Sequence, residues 1–339
     1  MTLAQHQSKL PSKHTTRRQS LPLIAAVIAL CATGPATAQS WPSKPITIVV
    51  SYPAGGDTDA IARVYAEKLG TRLGQQVLID NRAGASGTIG NSSVAKAAAD
   101  GYTLLFTPST FPIAQHVLKL APSTAHDVVN DFTPIVKTGN IPLLIVAAPS
   151  VGVKDIKQFI ADAKGGKAYT YGTPGAGSPM HIAAEMLNQD AGIKVTHVPY
   201  RGVAPVVNDT LGGHVTVGWI TPGAVGQHVQ SGKLLPLAVA ERQRTKLMPG
   251  VPTLMELGYK DLDVSAWMGL LGPKGLSPEL VRLIGGHMNE ILKMPDVVAK
   301  MTALGIEPIG GEPAVLAKQI SSDNERFGKL VKEFNIKAD

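Results

Sequence analysis

From Pro45 onward, short runs of Ile, Val and Leu alternate with stretches whose apolar residues recur at helical spacing. "PITIVVSY" predicts a strand, "TDAIARVYAEKLGTRLG" a helix and "QVLIDNR" a strand. "IGNSSVAKAAADG" is a helix closed by glycine, and "YTLLFT" the next strand. The second half repeats this grammar. "PLLIVAAP", "AYTYGT", "KVTHVPY", "VTVGWI" and "LPLAVA" read as strands. "VKDIKQFIADAKGG", "SPMHIAAEMLNQDAG", "APVVNDTLGGH" and "GAVGQHVQSGK" read as the helices between them. Strands spaced by helices mean βαβ units, hence an α/β fold with largely parallel sheets covered on both faces. The tail is almost all helical, broken by Pro and Gly at "GPKGLSP", "MPD" and "GGEP". Its helices need a sheet to pack on. The expected arrangement is therefore two domains, 39–140 plus 263–339 and 141–262, with a ligand cleft between them.

The first 38 residues break the pattern. Lys9, Lys13, Arg17 and Arg18 precede the apolar "LPLIAAVIALCATG", and Ala36, Thr37 and Ala38 supply a small-residue cleavage signal. That order predicts a cleaved secretory signal peptide and a periplasmic protein. "TRRQSL" hints at a twin-arginine signal; the general secretory route is the expectation, since paired arginines are common in ordinary signals. Removing the segment takes the net charge from +7 to +3 and removes Cys31, the single cysteine. No disulfide, thiolate metal site or cysteine nucleophile is then expected. With no basic run and few aromatics, nucleic-acid binding has no support. No later apolar stretch is long enough to span a bilayer.

Two glycine turns stand out. "VVSYPAGGDTDAIAR" passes from strand to helix through Gly55 and Gly56, and "YTYGTPGAGSPMHIAAEML" does so through Gly172, Gly175 and Gly177. Backbone N–H groups at such turns can face an anion, although glycines also serve simply to let a chain turn. Asp57 fits a helix N-cap; turned into a cleft it would repel a carboxylate and attract an ammonium. Asp59 and Arg63 have the spacing of a helix-surface pair. His181 suits either a ligand contact or a helix histidine. The spacings of a dinucleotide site and of a G-x-S-x-G elbow are both absent, and the histidines lack metal-ligand spacing. No catalytic residue, cofactor or metal is expected.

The chain resembles the extracytoplasmic solute receptors of tripartite tricarboxylate transporters, the Bug-type family. The likeness runs through "WPSKPITIVVSYPAGGDTDAIAR", "IDNRAGASGTIG", "ADGYTLLF", "YGTPGAGSPMHIAAEML", "HVPYRGVAPVVNDTLGGHV", "VPTLMELGY" and "MGLLGPKGLSPELV". It implies a two-lobed periplasmic-binding-protein fold, a Venus flytrap, that closes on a small organic carboxylate. The solute would be a di- or tricarboxylate, an aromatic acid or an acidic amino acid, delivered by a monomeric receptor to a membrane permease. The resemblance places the first turn, Tyr52, Pro53, Ala54, Gly55, Gly56, Asp57 and Thr58, against the carboxylate. The second turn does the same with Thr173, Gly175, Ala176, Gly177 and Ser178, beside His181. Thr107, Ser109, Thr110 and Thr221 would complete the pocket, with Tyr200 near the crossover. "FTPS" and "GWITPG" depart from the family pattern where the pocket faces the solute's far end. Two rivals use the same cleft: an exported hydrolase built on Ser178 and His181, and a binding protein that signals to a partner.

Overall fold

The computed structural model describes residues 41–200 and 202–337. The expected signal peptide, with Arg17, Arg18 and Cys31, lies outside them. The chain divides after Ser43, and Lys44 onward is one compact body.

The body opens with β1 (Ile46–Val50), α1 (Asp57–Leu73), β2 (Val77–Asn81), α2 (Thr88–Ala95), β3 (Thr103–Pro108), the single turn α3 (Ala114–Val117) and β4 (Phe132–Ile141). Then come β5 (Leu144–Ala147), α4 (Ile156–Lys164), β6 (Thr170–Thr173), α5 (Pro179–Ala191), β7 (Thr196–Pro199), α6 (Val203–Leu211), β8 (Val217–Ile220), α7 (Pro222–Gln230) and β9 (Leu235–Val239). It ends with β10 (Ala266–Pro273), α8 (Pro278–Ile291), α9 (Pro295–Ala303), β11 (Glu307–Pro308) and α10 (Pro313–Glu333).

Local chemistry sets the helix ends. In α1, Asp57 and Asp59 stand in the first turn and Arg72 in the last, matching the helix dipole, and Gly74 takes the left-handed conformation that stops it. Ile61, Tyr65 and Leu69 recur every fourth residue on its buried face. Helix α5 begins with Ser178 accepting from the His181 N–H and with Pro179 in the first helical position.

Among the described residues the strands form two sheets, ordered β11-β4-β10-β3-β1-β2 and β7-β6-β8-β5-β9. The β1 pairings with β2 and β3, and those of β6 with β7 and β8, are parallel. The rest are antiparallel: β10 with β3 and β4, β11 with β4, and β5 with β8 and β9. Both sheets are thus mixed, where the sequence pattern suggested largely parallel ones. The physical reason lies in β4 and β10. The first leads into β5 and the second sheet, and β10 brings the chain back, so the two run in opposite directions side by side. Helices α8 and α10 pack on β4. Trp267 of β10, fully buried, donates its indole N–H to Asp323 of α10 at 2.7 Å, fastening the tail to the first sheet. No helix among the described residues is long and apolar enough to cross a membrane.

Candidate functional site

The first turn leaves the C-terminal end of β1. Ser51 Oγ donates to Thr107 Oγ1 at 3.0 Å, tying β1 to β3 beneath the loop. Asp59 braces the turn from behind. Its carboxylate accepts from the Gly55 N–H at 2.9 Å, from Asn81 Nδ2 at 3.0 Å and from the Arg63 guanidinium at 2.9 Å. Burial works against the charge, but these donors prevail and hold the Asp59 carboxyl below its ordinary range. Asn81 also donates to the Tyr52 carbonyl, and the Tyr52 hydroxyl is paired with Thr110 Oγ1. Gly56, not Asp57 as expected, is the N-cap of α1; it makes no side-chain bond, Asp57 is the first helical residue, and the first helical bond runs from Ala60 N–H to the Gly56 carbonyl. The N–H groups of Asp57 and Thr58 therefore find no acceptor among the described residues.

The second turn, between β6 and α5, is braced by an imidazole instead of a carboxylate. His181 Nδ1 accepts the Gly177 N–H at 3.1 Å, and Gly177 holds the left-handed conformation at φ +72°. Ser178 Oγ donates to the Gly175 carbonyl at 2.8 Å. Thr173 Oγ1 lies 3.2 Å from that same carbonyl and 2.7 Å from His197 Nε2. The rings of His181 and His197 stack at 3.7 Å, and Tyr171 stacks on His197 while giving its hydroxyl to Glu185. Burial, then the neighbouring His197, pushes His181 down to about 3; burial pushes His197 down to about 4. A neutral His181 that accepts at Nδ1 carries its proton on Nε2, a tautomer inferred from the bonding network. The N–H groups of Gly175, Ala176 and Met180 are left without an acceptor among the described residues.

Both turns open on one cavity of about 570 Å³. Tyr52, Pro53, Gly56, Asp57 and Thr58 line it from the first turn, and Ser109 and Thr110 from the end of β3. Gly175, Ala176, Gly177, Ser178 and Thr221 line it from the second half. The remaining candidates stand outside its wall. Ala54 and Gly55 are exposed, with the Gly55 N–H directed to Asp59. Thr107 is buried against Ser51, and Thr173 against Gly175 and His197. His181 sits behind Gly177. Tyr200 gives its hydroxyl to Asp209 at 2.6 Å.

Sequence reasoning missed several wall residues. Gly202 and Val203, at the start of α6, add a further helix N-terminus to those of α1, α5 and α7. The glycine before "VAPVVNDTL" was the available signal. Val117 and Leu118 after "TFPIAQ", and Ile141 and Met268 on β4 and β10, were not readable as wall positions. Among the described lining residues there is no Lys, Arg or His, and the sole acid is Asp57. Surrounding protein pushes its carboxyl pKa up, with Lys300 opposing. Fixed dipoles of helix N-termini are what the cavity offers an anion. Beside it the two halves touch: a Cβ on Gly305 would lie 2.3 Å from Gly223 N, and one on Gly177 would lie 2.7 Å from Val117.

The geometry provides no hydrolytic dyad. The Ser178 hydroxyl is bound to the Gly175 carbonyl and the near nitrogen of His181 to Gly177, while His181 Nε2 faces Glu185 at 3.9 Å. No cluster among the described residues could hold a metal.

Residues 61–336 match the family model described as tripartite tricarboxylate transporter family receptor. The chain is 36% identical over 304 residues to protein BugT of Bordetella pertussis, covering 89% of this chain and 93% of that one. An R. palustris protein solved with adipate aligns with TM-score 0.76 and 30% identity, over 88% of this chain and 99% of the other. MatC from Rhodopseudomonas palustris with bound malate aligns with TM-score 0.72 and 28% identity, over 86% and 100%.

Proposed function

The chain belongs to the tripartite tricarboxylate transporter receptor family, and from that premise we propose that it captures a small organic carboxylate in the 570 Å³ cavity and presents it to a membrane permease. The proposed working form is a monomer in the periplasm, exported by the general secretory route. Its two lobes are 39–140 plus 263–339, and 141–262. The observation that carries the reading is the convergence of four helix N-termini on a cavity whose described lining has no cationic side chain. A receptor must hold its solute and also let it go. Main-chain dipoles suit that better than a buried ion pair with its desolvation cost. Each charge-assisted N–H bond contributes about 1.5–3 kcal/mol. Four or five of them, less the entropy of capture, support micromolar binding near −8 kcal/mol, as an order of magnitude. Closure is then a hinge motion stabilised by ligand contacts to both lobes.

Calorimetry with two glycine variants tests the reading. Gly56 and Gly175 have no positive φ, and a Cβ at either meets nothing closer than 3.7 Å. Gly56→Val and Gly175→Val should therefore leave the melting curve nearly unchanged while weakening carboxylate binding at least about tenfold, or 1.4 kcal/mol. Normal binding by both variants would sink the proposal that the turns grip the solute.

A further inference from the structure

Asp57 is the one charged side chain among the described residues that line the 570 Å³ cavity. With Val203 and Leu304 it also borders a neighbouring cavity of about 340 Å³, whose other described wall residues are uncharged as well. On whichever side its carboxylate lies, no described lining cation answers it. The carboxylate accepts no hydrogen bond and forms no ion pair with a described residue, and Lys300 of α9, itself exposed to solvent, acts on it across space. Two residues on, Asp59 is satisfied by Gly55, Asn81 and Arg63. That second acid already places negative charge in the first turn of α1, where the helix dipole favours it. Asp57 is left with its charge turned to no partner in the fold.

The same residue stands among groups that invite an anion. The Asp57 and Thr58 N–H groups lack an acceptor among the described residues, and the hydroxyls of Thr58 and Ser109, in residues 9% and 1% exposed, bond to no described protein group. A solute that brings only carboxylates to these donors meets the like charge of Asp57 at close range, which selects against it. A solute with an ammonium on the carbon beside its carboxylate satisfies both features of the helix start. Its carboxylate accepts from the main chain, and its ammonium donates to Asp57 in a charge-assisted bond. Without that acid, the ammonium would leave water for a described lining that offers it no counter-charge.

We infer that the solute is a zwitterionic α-amino acid, and that Asp57 selects it over the acid that lacks the amino group. This rests on the carboxylate-receptor reading above and narrows it. The exported protein, unfolded and refolded to strip any carried solute, is titrated calorimetrically with pairs that differ only in the amino group. These are aspartate and succinate, leucine and 4-methylpentanoate, and phenylalanine and 3-phenylpropanoate. In the pair that binds best, the amino acid should bind at least about tenfold tighter than its partner. Asp57→Asn should bring the two within about threefold, by weakening the amino acid, with a melting curve close to the parent's. Asp57→Glu, which keeps the charge, should retain most of the preference. Partners that bind as tightly as their amino acids overturn the narrowing and leave the receptor reading intact. A preference that survives Asp57→Asn, or that Asp57→Glu loses equally, overturns the assignment of Asp57. Binding of no carboxylate in either set overturns the receptor reading as well.

Discussion

The two glycine turns do the same job with opposite means. In the first, a buried carboxylate behind the loop collects three donors, Gly55 N–H, Asn81 and Arg63, and the glycine at the cavity, Gly56, has ordinary backbone angles and open space. In the second, a buried neutral imidazole accepts one N–H, from Gly177, and that glycine is both left-handed and pressed against Val117. The first brace works by being charged, the second by staying uncharged. A binding loop can thus be stiffened from behind by either chemistry, but the two loops should fail under different insults.

The largest effect expected on stability separates the glycines. Gly177→Val forces a β-branched residue into the left-handed region and into Val117, at a cost of about 3 kcal/mol. Chemical denaturation should show that loss in Gly177→Val and little in Gly56→Val. Equal losses would mean that the two turns are built alike.

Acid should distinguish the braces next. His181 and His197 have folded pKa values near 3 and 4, below the ordinary 6.5, so the unfolded chain binds more protons between those limits. Their contribution is complete above pH 6.5 and is lost as pH falls from there through 4 toward 3, by up to about 5 kcal/mol for the pair between pH 6.5 and 4. Asp59 is held below its ordinary 3.8, so its contribution persists to lower pH and goes only as that carboxyl protonates. Hydrogen exchange from pH 7 to 4 should show protection of the Gly177 amide falling while that of Gly55 holds. Parallel loss at both amides would contradict the assignment of the braces.

The smallest effect is the most local. Asp59→Asn keeps an acceptor but removes the charge, which should cost about 1 kcal/mol in stability. It should also loosen solute binding a few-fold, with exchange at Gly55 rising and that at Gly177 unmoved.

Much of this was legible in the sequence. The turns, the capping Ser178 and the alternation of strand and helix announce themselves through local rules. What escaped was non-local. "FTPIVKTGNI" (β4) contains Pro134, Lys137 and Gly139, and "AWMGLLGP" (β10) contains two glycines and a proline, so neither scans as an apolar strand. Each is stabilised by pairing with the other along its length and by the tail helices, including the buried Lys137 ammonium that donates to Gln319 at 2.9 Å. Asn81 lies 22 residues from the Asp59 it bonds, and no spacing rule joins them. These lining positions were hidden for the same reason: Val117, Ile141 and Met268 come to one cavity only after β4 and β10 have carried the chain out and back.

Gly223 and Gly305 approach so nearly that only hydrogens fit between their main chains. A seam made of bare backbone has no side-chain vocabulary, so it cannot be retuned when the wall residues change to suit another cargo. Yet the seam adjoins the wall in the chain itself, because Thr221 and Leu304 line the cavity beside these glycines, so a change at either wall position must respect that contact.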